Sequence, residues 1–459
     1  MTNFWDFSAW GSILVIAVLM GGLLLGNVLK QSVGFLKVSL IPTSVIGGTV
    51  LLIIATVYKV VTGDVMFNTA VFGGNGQATL EVLTYHCLAL GFIASTLKVS
   101  ENKFTKKRSI EIFDTGVMDV SNYLLQGVLG LIITIGAAKI VAGFFPAAGI
   151  LLPFGYGQGT GQAMNYGNIF EADYGFVGGR NFGLTIAALG FLSAAIGGVI
   201  YLNVMRRKGT IPQRNEAMEK IMSEDIQAND EIPMQESIDK MTIQIAFIGV
   251  TYLVAYVMMY FLGNAAPGLK STIYGFNFLL GVIAAVILKQ IMNMFRKAGV
   301  IKKRYTNNFL MTRASNLFFD VMLTAGIAAI RLDMLEAYWG IILIMGIVGA
   351  FATFFYNKFV AYRVFPEYKD EQLLAIYGMT TGTASTGIIL LREIDPDFST
   401  PVAENVVYQT IPAILFGFPM MIIATMAPRN PMLVLGICVA YFIVLNIILF
   451  RRQIFKRNK

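Results

Sequence analysis

Charge is scarce in this chain. Asp, Glu, Lys and Arg make up 14% of its 459 residues, where a soluble globular domain carries roughly 25%. With 56% of the residues hydrophobic, much of the surface must be solvated by lipid. Histidine is scarcer still, since His86 is the only one. Histidine-built metal centres are thereby excluded. There is also no HExxH run and no Ser/His pair on adjacent spans, so the usual enzyme constellations are missing. The expectation is a protein that is not an enzyme and carries no cofactor. The two cysteines, Cys87 and Cys438, stand in apolar stretches and form no disulfide framework; they read as small packing residues. Ahead of the first apolar run stand Asp6 and no Lys or Arg, which argues against a signal peptide. The net charge of +8 does not point to nucleic acid, because the basic residues fall in short loops beside apolar segments.

What the chain has in abundance is apolar runs long enough to cross a hydrocarbon core, which takes about 20 residues. They fall at 10–29, 39–61, 84–97, 120–144, 181–205, 242–262, 273–294, 317–330, 338–360, 402–425 and 431–450. The third and eighth are short and carry His86 and Asp320. Two glycine- and threonine-rich stretches interrupt the series. Phe154-Gly-Tyr-Gly-Gln-Gly-Thr-Gly-Gln162 lies between the fourth and fifth runs, and Tyr377-Gly-Met-Thr-Thr-Gly-Thr-Ala-Ser-Thr-Gly387 between the ninth and tenth. Clustered glycines leave backbone groups unpaired, and irregular backbone at membrane depth survives only where protein covers it or where it lines a polar cavity. Both stretches read as re-entrant hairpins, near 146–170 and 371–391.

Orientation follows from Lys and Arg, which favour cytoplasmic loops. With the N-terminus outside and the C-terminus cytoplasmic, most of the 35 basic residues fall inside, provided that both hairpins enter and leave on one side. Trp10 and Trp339 then mark the outer interface. The order of elements repeats: four spans, a hairpin, one span, a charged linker, and the same again with one extra span. Five crossings is an odd number, so the second copy is inverted, the arrangement of many secondary transporters. The expected fold is an all-α integral membrane protein. Its units are a first repeat over 1–205, a cytoplasmic linker over 206–241, a second inverted repeat over 242–430, and an extra helix with a basic tail over 431–459.

The tips suggest the chemistry. Glycine lets the backbone bend and approach a ligand closely, and half-helix N-termini attract carboxylate oxygens. Unwound carbonyls and hydroxyls suit a small hard cation such as Na⁺. The first tip offers Gly157, Gln158, Gly159, Thr160 and Gly161, with Gln162 beyond. The second offers Gly378, Thr380, Thr381, Gly382 and Thr383 for a solute, with Thr383, Ser385 and Thr386 as Na⁺ ligands. The bland alternative is close helix packing through small residues. Two such loops at matching places make it the weaker reading. Arg180 and Arg331 are candidates to pair with a substrate carboxylate, against the commoner role of snorkelling charges. Asp320 is a candidate Na⁺ ligand, and His86 reads as a hydrogen-bonded core residue. Asn122, Asn316 and Asn405 are polar groups near span starts.

The run Gly157-Gln-Gly-Thr-Gly161, followed by Tyr174-Gly-Phe176 and by Gly197-Gly198, resembles the sodium/glutamate symporter family. That family's first motif reads Gly-Gly-His-Gly-Thr-Gly-Ala-Ala; here Tyr156 replaces the first glycine, Gln158 the histidine and Gln162 an alanine. The second loop keeps Gly378, Gly382 and the threonine-rich tail through Thr386, with Thr380 in place of a family glycine. The resemblance implies Na⁺-coupled uptake of L-glutamate at the cell membrane, and related families suggest a homodimer with an elevator motion. A symporter of another organic anion or dicarboxylate is the alternative within the class. From another class comes a channel, because Gly155-Tyr-Gly157 matches the Gly-Tyr-Gly of potassium filters. Such filters need four loops around one axis, and only one is present.

Overall fold

The structure is a computed structural model. It describes residues 3–38, 41–98, 105–208, 231, 238–267, 270–275, 277–335, 338–395 and 399–454. The chain folds into helices, and among the described residues the only β pairing is an isolated bridge between Glu231 and Arg304. The first half contributes α1 (Phe7–Ser32), α2 (Thr43–Thr62), α3 (Gly76–Leu97), α4 (Lys106–Ala138), α5 (Leu151–Tyr174) and α6 (Gly179–Arg207). The second contributes α7 (Lys240–Ala265), α8 (Asn277–Lys297), α9 (Asn308–Ala328), α10 (Trp339–Val364), α11 (Lys369–Thr381), α12 (Ala384–Arg392), α13 (Val402–Tyr408), α14 (Thr410–Met426) and α15 (Pro431–Leu449).

Nine described helices are long and apolar enough to cross a membrane, and a tenth span results if α13 and α14, bent by 47°, are taken together. The protein is a multi-pass membrane protein. Short polar side chains start several of these helices by accepting otherwise unpaired amides of the first turn. Asp239 receives Met241 N at 2.8 Å, Asn307 receives Leu310 N at 2.7 Å, and Asn430 receives Leu433 N at 3.1 Å with Pro431 in the first turn.

Three helices differ in extent from the apolar runs. The third run begins at Gly76 rather than 84 and takes in Glu81; the eighth begins at Asn308 and takes in Arg313. The fourth begins at Lys106 rather than 120. In α4 the polar residues continue the helix because protein rather than lipid surrounds them: Asp114, Asp119, Asn122 and Gln126 are all buried. Of the linker over 206–241, Glu231 is described together with the helix ends that flank it, and Glu216, Glu224, Asp225 and Asp230 lie outside the described residues.

The helices sort into two groups by packing. In one, α1, α2, α3, α7, α8 and α9 pack on one another; in the other, α4, α5, α6 and α10 to α15 do so. The groups meet chiefly where α5 and α6 lie against α3 and α9. Small residues let the backbones close in at this seam. A Cβ on Gly326 of α9 would stand 2.8 Å from the Thr160 side chain, and one on Gly161 would stand 2.9 Å from Leu88 of α3. Each group draws the same-ranked elements from both halves of the chain: spans one to three from each half form the first group. The fourth span, the glycine-rich element and the fifth span of each half form the second, together with α15.

Candidate functional site

In α5 the helical backbone breaks at Gly159, with φ 78° and ψ −170°. That conformation is essentially reserved for glycine. The chain turns back on itself there. The rings of Phe154 and Tyr166 stack with centroids 3.8 Å apart and an interplanar angle of 9°, whereas in a continuous helix twelve residues would separate them by ~18 Å. The second loop turns back at Gly382, between α11 and α12. A Cβ on Gly378 would stand 2.8 Å from the Gly387 Cα, so the two arms touch backbone to backbone.

The two tips meet. A Cβ on Gly159 would stand 3.7 Å from Cγ2 of Thr383 and 3.9 Å from the Phe191 ring of α6. Gly190, beside Phe191, is pressed between the tips: its Cβ position lies 2.6 Å from the Thr381 carbonyl oxygen and 3.2 Å from the Tyr156 Cα. Each loop ends one half-helix and begins another at this place. The starts of residues 160–174 and of α12 bring amides with positive dipole ends, and the ends of residues 151–158 and of α11 bring carbonyls. An anion and a cation therefore find complementary backbone within one small region.

The surroundings are polar, buried and almost free of charge. On α4, Asn122 donates to Asn357 Oδ1 at 2.6 Å, and Gln126 donates to Thr353 Oγ1 and to the Thr380 carbonyl, both at 2.8 Å. Asn357 Nδ2 donates to Thr380 Oγ1 at 3.0 Å, and Thr380 donates to Ile376 O at 2.7 Å. Thr381 donates to Tyr377 O at 2.6 Å. Thr383 Oγ1 accepts from Thr386 N at 3.4 Å and lies 3.3 Å from Thr386 Oγ1, so it caps α12. In the first loop, Gly157 O accepts from Tyr123 Oη at 3.2 Å, Gln158 is half-buried, and Gln162 accepts from Asn165 at 2.9 Å. Buried Oγ1 of Thr160, Oε1 of Gln126 and Oδ1 of Asn122 have no hydrogen-bond partner among the described residues. Unpaired oxygens of this kind are what a hard cation takes as ligands. No group of three or more His, Cys, Asp or Glu comes together among the described residues, so a cation here would rest on neutral oxygens.

The other candidates stand elsewhere. Arg180 pairs with Glu81 at 2.5 Å and with Glu171 at 3.0 Å. Arg331 pairs with Asp333 at 2.7 Å, and its backbone amide donates to Asn181 Oδ1 at 2.7 Å. Lys59 also pairs with Asp333. Burial acts to raise the Asp333 pKa, but Arg331 and Lys59 outweigh it and hold the carboxyl below its ordinary value. These charges form a rim across the seam between the two groups, and both arginines already have carboxylate partners. Asp320 is not brought to the threonine tip; it faces a groove lined by Asn27, Thr43 and Ser44 of α1 and α2. His86 Nδ1 lies 2.6 Å from Tyr252 Oη in the first helix group, away from the tips. The Ser385 side chain lies outside the described residues.

Sequence reasoning missed Asp119, Tyr123, Gln126, Thr353 and Asn357, which back the tips from α4 and α10. The signal was present in Asp119, an acidic residue thirteen positions into a membrane helix, where ionisable residues mark function by default. Starting the fourth span at 120 placed Asp119 outside it.

No curated protein and no solved structure matches the chain. The family model for the sodium/glutamate symporter matches residues 7–399, a stretch that takes in both tips and the helices around them. Two apposed Gly/Thr tips inside a lipid-solvated helical body thus coincide with a match over most of the sequence, and the chain belongs to the sodium/glutamate symporter family, whose members are membrane transporters that move glutamate with Na⁺.

Proposed function

We propose that this protein takes L-glutamate into the cell by Na⁺ symport, with the two apposed tips as the shared site and an elevator-like movement as the alternating-access step. The single observation that carries the reading is the approach of Gly159 to Thr383, because it brings together two loops, one from each half of the chain. The solute carboxylates would face the half-helix starts at Thr160 and Ala384. The Na⁺ would face neutral oxygens among Thr160, Gln126, Thr383 and Thr386, together with tip carbonyls.

The repeats run in opposite senses, with α5 entering from the outside and α11–α12 from the cytoplasm. The N-terminus is outside and the C-terminus inside. The back-folding at Gly159 and Gly382 supports the re-entrant reading, and the exchange of same-ranked elements between the two helix groups supports the repeat. The moving body would be α4–α6 with α10–α15, and the static body α1–α3 with α7–α9. The static bodies of two copies would form a homodimer, as in related families.

Uptake of labelled glutamate into proteoliposomes tests this. An inward Na⁺ gradient is expected to drive accumulation that K⁺ or H⁺ gradients alone do not. Equal rates with all three would remove Na⁺ symport, and accumulation of a dicarboxylate in preference to glutamate would assign the alternative solute.

A further inference from the structure

Asp119 sits in the middle of α4, 2% exposed, and no Lys, Arg or His among the described residues faces it. Its Oδ2 lies 3.0 Å from Tyr123 Oη, and that same hydroxyl lies 3.2 Å from the carbonyl oxygen of Gly157 at the first tip. Oδ1 meets no hydrogen-bond donor among the described residues. Gln409 is the other side chain in hydrogen-bond reach of the carboxyl, and its Oε1 also lacks a donor.

Counting hydrogens shows the difficulty. A tyrosine hydroxyl has one proton to donate, and a peptide carbonyl can only accept. The one Tyr123 proton can serve Oδ2 or the Gly157 carbonyl but not both, and the carbonyl stands at the helix break, where regular partners are lost. When that proton goes to Gly157 O, Oδ2 faces the lone pairs of Tyr123 Oη and needs a proton of its own. One further proton resolves the chain. Asp119 Oδ2–H donates to Tyr123 Oη, which donates to Gly157 O.

We propose that Asp119 is a proton-binding site tied to the first tip, protonated when that tip is seated as it is here, and that the protein releases and regains this proton in each transport turn. On release, the proton leaves Oδ2 for water reached as the tips part, and a carboxylate with one negative charge remains. Tyr123 keeps its own proton but turns it from Gly157 O to Oδ2, so the tip loses its hydrogen bond. Protonation and the seating of the tip are thereby linked.

The groups around Asp119 do not supply another balancing charge. From α5 comes the Gly157 carbonyl, and from the junction of α13 and α14 comes Gln409, with Gln409 O and Pro412 of α14 packed on Gly116 one turn below. Farther along α4, Asn357 and Thr353 of α10 meet Asn122 and Gln126, Thr380 of α11 meets Gln126, and Met379 of α11 meets Gln409. The charged residues nearest along α4 are engaged: Asp114 pairs with Arg451, which follows α15, and Glu111 pairs with Arg108, which also reaches Glu404 of α13. Tyr123 is the one titratable group among the described residues that acts on the Asp119 carboxyl.

Protonation is tested independently of transport by infrared difference spectra of the purified full-length protein at neutral pH. The parent minus Asp119→Asn spectrum is expected to show the C=O stretch of a protonated carboxylic acid, sensitive to exchange into heavy water. If Asp119→Asn does not fold, Asp119→Glu keeps the acid and is expected to shift the same band. An ionised carboxylate at neutral pH overturns the proposal, all the more if Asp119→Asn also loses stabilisation by Na⁺, which would make the group a cation ligand instead. The coupling half rests on the symport reading. In proteoliposomes holding a pH dye, glutamate with Na⁺ is expected to move protons in the parent and not in Asp119→Asn. Na⁺-driven uptake without proton movement in the parent overturns coupling. If glutamate is not taken up at all, the symport reading has failed, and the infrared band alone decides whether Asp119 holds the proton.

Discussion

Gly159 and Thr383, 224 positions apart in the chain, face each other at van der Waals distance, with the threonine methyl 3.7 Å from where a glycine Cβ would stand. The two residues meet this contact by different means. Gly159 needs its positive φ, and Thr383 both starts α12 and covers the opposite tip.

Gly159→Val is expected to remove ligand binding. Backbone strain in this region costs about 1–3 kcal/mol, and the added branches must displace Thr383 or Phe191. In detergent, the variant is expected to melt lower than the parent and to gain no thermal stabilisation from glutamate with Na⁺. Stabilisation equal to that of the parent would show that the tips are not the site.

Thr383→Val keeps the shape but removes the oxygen that accepts Thr386 N. Loss of such a cap costs about 0.5–2 kcal/mol. The cap role and a ligand role separate with Thr383→Asn, which can still cap. Recovery of melting temperature without recovery of glutamate affinity is expected. Recovery of both would leave the residue as a cap alone.

The two turn-backs were legible in the sequence because clustered glycine interrupts a membrane helix, and two such clusters stand at matching places in the two halves. What Thr383 does locally was not, since a cap depends on where the helix begins. Asp119 was lost to a boundary: an apolar window stops at an acid, whereas the helix continues through it because α10, α11 and α13 cover that face. Arg180 and Arg331 read as open charges along the chain, and only three-dimensional packing brings Glu81, Glu171 and Asp333 to them. Asp320 shows the converse, an intramembrane acid that points away from the tips toward α1 and α2.

The rim charges cross the seam, so an elevator-like movement must part Arg180 of α6 from Glu81 of α3. Pairs of this partly exposed kind contribute about 0.2–1 kcal/mol. Glu81→Gln is therefore expected to change the uptake rate by a few-fold at most, with the fold intact. The Asp333 pairs lie beside it. Because the folded pKa of Asp333 is lowered, their contribution is present above its unfolded value and is lost as pH falls through the lower folded value. The parent is therefore expected to melt above Asp333→Asn at neutral pH, with the difference shrinking as pH falls through the ordinary carboxylate range and vanishing below the lowered folded value.

Topology is testable by thiol labelling in intact cells. Asn165 is a poor position on the first loop, since it is 5% exposed and bonded to Gln162 and Gly275. Ala172, exposed near the end of the same arm, is suitable, as is the exposed Lys369 at the start of α11. Cys87 and Cys438 are buried and give little background. Ala172→Cys is expected to react with an impermeant reagent added outside, and Lys369→Cys only after the membrane is opened. Reaction of both from one side would end the inverted-repeat reading.

Glu231 anchors the linker between the two halves. Its carboxylate accepts from Lys240 at 2.7 Å, from Arg304 at 2.8 Å and from Asn307 at 2.6 Å. The Lys240 and Glu231 side chains are 0% and 2% exposed. Glu231 is thus fastened to the start of α7 and to the segment ahead of α9, both in the first helix group. Removing one partner of a buried ion pair leaves the other charge uncompensated and typically costs about 3–5 kcal/mol. Glu231→Ala is expected to lower the melting temperature of the purified protein markedly. Replacing both ends, as in Glu231→Gln with Lys240→Met, is expected to recover part of that loss, because the buried Lys240 ammonium is then gone while the Arg304 guanidinium still loses its carboxylate. If the linker served only as a tether, Glu231→Ala would melt with the parent. A double variant no more stable than Glu231→Ala would assign the effect to Arg304 and Asn307 rather than to the Lys240 pair.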